Sequence, residues 1–204
     1  QYLASPKRQQ VKFCLILHNA FGVPEAQWPA ERDRAVALLQ NPCYQSVLDG
    51  RPLVYTFSLS YQGAFPAARI SEFLTAAKAA GCRPYMVYMG WHPAKDYPMV
   101  APWGFDAVSA YASCSAVPTF AELTRQTETQ YWANAAQAQA PYVPLVTSGW
   151  EKQPRKDHPV SWEKGHSYHQ QATFPALPQP EELAAHLSRA LAFTREQAAI
   201  CEAQ

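Results

Sequence analysis

PYMVYMG, residues 84–90, is one of five apolar runs that have the length of a β-strand. All five are rich in β-branched and aromatic residues and lack the apolar–polar alternation of a half-exposed strand. Strands that are buried on both faces have this composition, so the runs predict a parallel sheet. The other four runs are VKFCLILH (11–18), PLVYTFS (52–58), FDAVSAY (105–111) and YVPLVTS (142–148).

Segments with apolar residues at helical spacing lie between these runs. We predict helices over residues 31–40, 67–80, 119–139 and 180–201. Gly81 follows the second of them and Pro180 opens the last, as is typical of helix ends. The alternation of strands and helices predicts an α/β fold with right-handed βα units.

The predicted strands are too few for a complete barrel. A closed TIM-type barrel has eight strands and about 250 residues, whereas this chain has 204 residues and five predicted strands. We therefore expect residues 1–204 to form one domain, an incomplete parallel (β/α) barrel of about five βα units. Strands 11–18 and 142–148 would be its exposed edges, which favours self-association.

Composition and short motifs narrow the class of partner. The net charge is only +1 without a long basic run, which argues against nucleic acid. The sequence has no stretch of 18 apolar residues, so no membrane span is predicted. No strand is followed by a glycine-rich phosphate loop, so a doubly wound nucleotide-binding sheet is disfavoured and no cofactor is expected. The N-terminal residues lack an apolar segment and leave the localisation open.

The cysteines do not change this picture. The chain has five, widely separated and without CxxC spacing. Such a pattern indicates neither a disulfide framework nor a zinc finger.

The six Trp and 11 Tyr supply flat side chains that suit sugar rings, although most aromatic residues in any domain serve its core.

Three strings of the sequence have counterparts in a known family: GFDAVSAYA (104–112), PYVPLVTSGWEKQPR (141–155) and PQPEELAAHLSRALAF (178–193). They resemble parts of the glycoside hydrolase family 99-like and WbsX-like βα-barrel proteins. GFDAVSAYA, residues 104–112, is similar to a strand that ends in a pocket tyrosine, here Tyr111. PYVPLVTSGWEKQPR, residues 141–155, resembles the next strand and its loop, and departs from the pattern at Glu151, where Asp is commoner, and at Gln153–Pro154. PQPEELAAHLSRALAF, residues 178–193, is similar to the helix before the last catalytic strand.

The resemblance implies a carbohydrate-active enzyme of the glycoside hydrolase type that acts on a glycan or polysaccharide. In these families a later strand ends in an N-E-x-x-E motif that carries the two catalytic carboxylates. No such string occurs here, so the resemblance implies that the glutamate pair lies beyond Gln204. Two alternatives stay open: a non-catalytic barrel remnant that binds a glycan or a partner, and a WbsX-like glycosyltransferase.

In a βα-barrel the functional groups come from the carboxyl ends of the strands and the loops that follow them. Each residue at such a position also has a structural alternative, since His18 could close the barrel rim and Trp91 could pack beneath the next loop. Besides the nearby Tyr61, the rule selects these substrate-binding candidates: His18, Asn19, Ser58, Trp91, His92, Ser109, Tyr111, Thr147, Trp150, Glu151 and Arg155.

Trp150, Glu151 and Arg155 form the densest group of candidates, with a ring, a carboxylate and a cation within six positions. A carboxylate beside a ring can bind vicinal hydroxyls, and an arginine can orient it. Glu151 is the weak candidate for a catalytic acid, because glycoside hydrolysis normally uses two carboxyls. The alternative is a surface loop with a solvated charge pair. Asp106 lies at the start of its strand and is expected to serve the structure.

Two further kinds of catalytic site are disfavoured. His158, His166 and His169 include an HxxH spacing, but they lie in a long loop rather than on the firm elements that hold catalytic zinc, so no metal is expected. The serines of YTFSLSYQG, residues 55–63, lack the GxSxG pattern of a hydrolase nucleophile.

Overall fold

The computed structural model describes residues 2–18, 20–57, 59, 66–113, 115–161, 174 and 177–202. A π-helical turn, Glu128–Trp132, joins two of its α-helices. The strands are β1 (Leu15–His18), β2 (Ser46–Val47), β3 (Arg51–Phe57), β4 (Tyr85–Gly90) and β5 (Ala107–Ala110). The α-helices are α1 (Trp28–Leu39), α2 (Ala67–Ala79), α3 (Pro93–Val100), α4 (Phe120–Thr127), α5 (Ala133–Gln137), α6 (Gln153–Asp157) and α7 (Pro180–Glu196). Single 3-10 turns lie at Tyr2–Ala4, Ala20–Gly22, Glu25–Gln27 and Ala101–Trp103.

Four of these strands form a parallel sheet in the order β1, β3, β4, β5. His18 pairs with Phe57, Phe57 with Met89, and Gly90 with Ala110, so the carboxyl ends of all four strands lie at one edge. The predicted α/β fold with a parallel sheet is therefore confirmed. The short strand β2 was not predicted and pairs antiparallel with the start of β3.

Five of the described helices, α1, α2, α3, α5 and α7, contribute to a core on one face of the sheet. Ile70 and Phe73 of α2 are buried there with Val54, Met86 and Val108 of the strands. These side chains hold the helical layer, because removing such apolar surface from water is the main stabilising contribution in a domain. None of the described helices has the length and apolar character that crossing a membrane requires.

The opposite face carries a smaller apolar cluster. Its buried members are Tyr85, Val87 and Ala107, and Tyr55 packs against them. All members come from strands or from segments beside them, and none comes from a described helix. Ile16 of β1, which is in register with Tyr55, is 55% exposed on this side.

All four predicted helices are present, although α7 ends at Glu196 rather than at residue 201 and the helix predicted over 119–139 contains the π-helical turn. Helix α2 ends where it was expected, since Gly81 has a φ of +77° and the amide of Cys82 bonds back to the carbonyl of Ala77. The predicted helix 119–139 begins with a side-chain cap, as the Thr119 hydroxyl accepts from the amide of Glu122 at 3.2 Å. Helices α3 and α6 are short, contain proline and were not predicted.

The predicted strand over 142–148 is wrong beyond its first residue. Tyr142 forms one parallel bridge with Val108, and no ladder follows it among the described residues. Pro144 has no amide proton, so it cannot donate to a neighbouring strand.

Side chains of the helical layer bind the backbone that leaves this bridge. The indole Nε1 of Trp132 donates to the carbonyl of Leu145 at 3.0 Å. The amide of Thr147 donates to Nε2 of His186 at 3.3 Å. These bonds satisfy backbone groups that a strand ladder would otherwise satisfy.

Asp106 has the structural position that the sequence predicts. It precedes β5 at the amino edge of the sheet and accepts two hydrogen bonds from Nη2 of Arg51, at 2.8 and 2.7 Å. One of its oxygens also accepts from the amide of Met86 at 2.8 Å. The carboxylate thereby ties the starts of β3, β4 and β5 together.

Candidate functional site

Four aromatic side chains meet at the carboxyl edge of the sheet, one from each parallel strand. We call His18, Phe57, Trp91 and Tyr111 the aromatic cluster. His18 and Phe57 are the last residues of β1 and β3, and Trp91 and Tyr111 directly follow β4 and β5. Because the four strands are adjacent and parallel, their ends bring residues from four distant parts of the chain to one place.

Phe57 lies at the centre of the aromatic cluster. Its ring centroid is 3.6 Å from that of Tyr111, with 26° between the planes, and 5.2 Å from that of His18. Trp91 meets both Phe57 and Tyr111 edge-on, with centroids 6.3 and 5.9 Å apart. The two contacts of Trp91 have the favourable edge-to-face arrangement of aromatic rings.

The aromatic cluster is partly open to solvent. Trp91 is 38% exposed, Tyr111 is 45% exposed, and His18 is also exposed. Large aromatic side chains are usually buried, so exposed rings in mutual contact suggest a surface that meets another molecule.

Three members of the aromatic cluster were candidates from the sequence, and Phe57 was not. The positional rule favours polar residues and residues after the strands, and it selects Ser58 next to Phe57. Phe57 lies on the same face as Tyr55, away from the helices, and no alternation in its run distinguishes it from core in the sequence. Asn19, Ser58 and Tyr61 lie outside the described residues.

A carboxylate packs over the end of β4. Asp96 of α3 is half-buried, and its Oδ2 accepts from the amide of His92 at 2.9 Å. Burial raises the pKa of Asp96, while this hydrogen bond acts in the opposite direction. An ideal Cβ on Gly90 would lie 1.9 Å from Oδ2 of Asp96. The close packing of α3 on β4 therefore requires glycine at position 90.

We expect Gly90→Ala to destabilise the protein by about 2 kcal/mol, because Asp96 must give up its bond to His92 to make room for the methyl group. Urea denaturation of Gly90→Ala, Asp96→Ala and the double variant would measure this effect. The two substitutions should be non-additive, since truncating Asp96 removes the closest contacts of the new methyl group and leaves that with Cε1 of Tyr88 at 2.9 Å. Additive losses would contradict the predicted contact.

A groove of about 300 Å³, which we call the polar groove for its histidine, lysine and amide side chains, is lined in part by the segment that follows Trp91. His92, which follows Trp91 and precedes α3, lines one side of it together with Lys95. Gln130 and Asn134, from the π-helical turn and α5, line the other side. No aspartate or glutamate is among its lining residues, and amide, ammonium and imidazole groups can hydrogen-bond hydroxyls or anions.

Ser109 and Thr147 have structural hydrogen bonds. Both residues are buried. The hydroxyl of Ser109 donates to the carbonyl of Val143 at 2.8 Å. The hydroxyl of Thr147 accepts from the amide of Gly149 at 3.2 Å. These contacts stabilise the segment after β5, and direct ligand binding by either residue stays a prediction.

The group at residues 150–155 forms a charged surface loop. The ammonium of Lys152 lies 4.5 Å from the centroid of the Trp150 ring. Glu151 is exposed and accepts a hydrogen bond from the amide of Gln153 at the start of α6. Arg155 is exposed on α6. The structure therefore gives Glu151 a local role at a helix start, and its catalytic role stays a prediction.

Of the three loop histidines, only His158 is described, and it is exposed at the end of α6. His166 and His169 lie outside the described residues. Within the described part of the chain, no three His, Cys, Asp or Glu side chains form a group that could hold a metal ion.

The relationship to a family rests on the sequence strings. Comparisons of the chain with protein-family models, with curated proteins and with solved structures find no match. The resemblance to family 99-like and WbsX-like barrels therefore stays a prediction.

Proposed function

We propose that the chain binds a glycan at the carboxyl edge of its sheet, as part of a carbohydrate-active βα-barrel protein of the glycoside hydrolase type. The observation that carries this proposal is the aromatic cluster, with one ring from each of four adjacent strands. In parallel α/β sheets, ligands bind outside the carboxyl ends of the strands.

The chemistry of the aromatic cluster suits a sugar ring. A sugar presents an apolar C–H face and a rim of hydroxyls, so it can stack on an aromatic ring while its hydroxyls stay hydrated. Trp91 and Tyr111 combine a flat apolar body with a polar N–H or O–H group. His18 adds a group that can donate or accept a hydrogen bond near neutral pH.

The polar groove gives an extended glycan a second place to bind. Trp91 belongs to the aromatic cluster and the next residue, His92, lines the groove, and we propose that one extended glycan contacts both. We expect a stacked sugar at the aromatic cluster and hydrogen-bonded hydroxyls at Gln130 and Asn134. This arrangement favours an oligosaccharide over a single monosaccharide.

Trp91→Ala and Tyr111→Ala should each weaken binding of a mannan oligosaccharide by about 30-fold, which corresponds to about 2 kcal/mol for loss of a central aromatic contact. Trp103→Ala is a matched control, because Trp103 is 43% exposed but precedes β5 at the opposite edge of the sheet. Isothermal titration calorimetry would give the affinities.

The control should bind as tightly as the unmodified protein. If Trp103→Ala weakened binding as much as Trp91→Ala did, or if no oligosaccharide in a broad glycan panel bound, the proposed glycan site would be wrong.

Hydrolysis is a separate part of the proposal and needs its own assay. Release of reducing ends from mannan-like and other polysaccharides would support a glycoside hydrolase. Because the resemblance implies a glutamate pair beyond Gln204, binding without turnover would support a non-catalytic glycan-binding protein only if the assayed protein includes that pair. Sugar transfer that depends on an added nucleotide sugar would support the glycosyltransferase alternative.

A further inference from the structure

A histidine in the helical layer binds the segment that continues from β5. His186 of α7 is fully buried, and its ring lies parallel to the indole of Trp132, with centroids 5.2 Å apart and 5° between the planes. Its Nδ1 is 3.0 Å from Oε1 of Glu128, and its Nε2 is 3.3 Å from the amide nitrogen of Thr147. Both ring nitrogens therefore have a partner.

The two partners determine the protonation state of His186. A backbone amide can only donate, so Nε2 must carry the lone pair that accepts from Thr147. The single proton of the neutral ring is then on Nδ1, where it is donated to the carboxylate of Glu128. A second proton could only be added at Nε2, and it would face the Thr147 amide and break that hydrogen bond.

The groups around His186 act on its charge in opposite directions. Glu128 favours the protonated ring, and Arg189 disfavours it while donating to the same Glu128 oxygen at 2.8 Å. The remaining ring contacts, Trp132 and Phe120, are uncharged. Burial is the largest influence and lowers the pKa of His186, so the neutral ring predominates at neutral pH.

We propose that His186 is a pH-dependent latch on residues 145–151: the neutral ring holds Thr147, and protonation releases it. Trp132 holds the adjacent Leu145 carbonyl, so the two stacked rings bind the segment at two points. The π-helical turn presents both Glu128 and Trp132 to His186, and such turns are often found at functional sites. The released segment carries Trp150 and Glu151, so acidification would change the loop that follows β5.

The same protonation affects the stability of the fold. The pKa of His186 is lower in the folded than in the unfolded chain, where it is about 6.5. The contribution of the neutral ring to stability is therefore fully present above the unfolded pKa and is lost as the pH falls toward the folded pKa.

Nuclear magnetic resonance of the full chain tests the latch directly. Long-range proton–nitrogen correlation at pH 7.5 should show His186 protonated on Nδ1. The Thr147 amide should be protected from hydrogen exchange there and lose at least about tenfold of its protection factor as His186 titrates. The amide of Val87, in the middle of the sheet, should keep its protection. Constant Thr147 protection through the titration, or a proton on Nε2 at pH 7.5, would overturn the proposal.

Two charge variants separate a latch from a merely structural histidine. Glu128→Gln keeps an acceptor for Nδ1 but removes the negative charge. The loss of protection of the Thr147 amide should therefore occur at lower pH. Arg189→Gln removes the positive charge, so release should move to higher pH. The amide of Val87 should keep its protection in both variants. Release at the same pH in both variants would contradict control by His186.

Discussion

Asp106→Ala should lower the free energy of unfolding by about 3 to 5 kcal/mol, among the largest single-residue effects we expect in this protein. The substitution leaves the guanidinium of Arg51 without its carboxylate partner. The Arg51 side chain is only 15% exposed, so water replaces that partner poorly. It also leaves the amide of Met86 without the carboxylate oxygen to which it donates. The loss is large because removing one partner of a shielded pair leaves the other charge partly desolvated.

Urea denaturation of Asp106→Ala should be compared with that of Asp33→Ala. Asp33 also pairs with an arginine at 2.8 Å, but its side chain is 64% exposed, so its removal should cost less than about 1 kcal/mol. Asp106→Asn should give an intermediate loss, since it keeps an oxygen for Met86 but removes the charge. Similar losses for Asp106→Ala and Asp33→Ala would show that the Arg51–Asp106 pair at the amino edge contributes little to stability.

The parallel sheet could be predicted because the local composition of its strands indicates buried β-structure. β4 is buried along its whole length, and its run PYMVYMG has no polar position to suggest an exposed face. The failure at 142–148 has a different cause, because YVPLVTS has the same composition as a strand. What removes it from the sheet is Pro144 together with contacts from Trp132 and His186, and His186 is 39 positions from Thr147.

The location of the candidate site could be predicted from the sequence, but only some of the residues that form it. The rule that function lies at the carboxyl ends of strands selected His18, Trp91 and Tyr111, which the structure brings together. It passed over Phe57, because an apolar residue at the end of a strand looks like core in the sequence. Asp96 was also missed, since its position over Gly90 depends on how α3 packs, and no local pattern encodes that contact.

Trp132→Ala should destabilise the protein by about 3 to 5 kcal/mol, as is typical when a buried tryptophan is truncated. The indole is 4% exposed, stacks on His186 and contacts Phe193 at 5.4 Å between centroids. The substitution would leave a cavity between α7 and the π-helical turn and remove the bond to the Leu145 carbonyl.

Trp132→Phe separates these two effects, because it keeps a ring against His186 but cannot donate to Leu145. We expect it to cost about 1 to 2 kcal/mol, close to the penalty of an unpaired backbone carbonyl together with a smaller cavity. Trp103→Ala is the control for tryptophan removal as such and should cost less than about 1 kcal/mol, since much of that ring is already in water. If Trp132→Ala cost no more than Trp103→Ala, the stacked pair would not hold residues 145–147 to the helical layer, and the latch would lose one of its two points of contact.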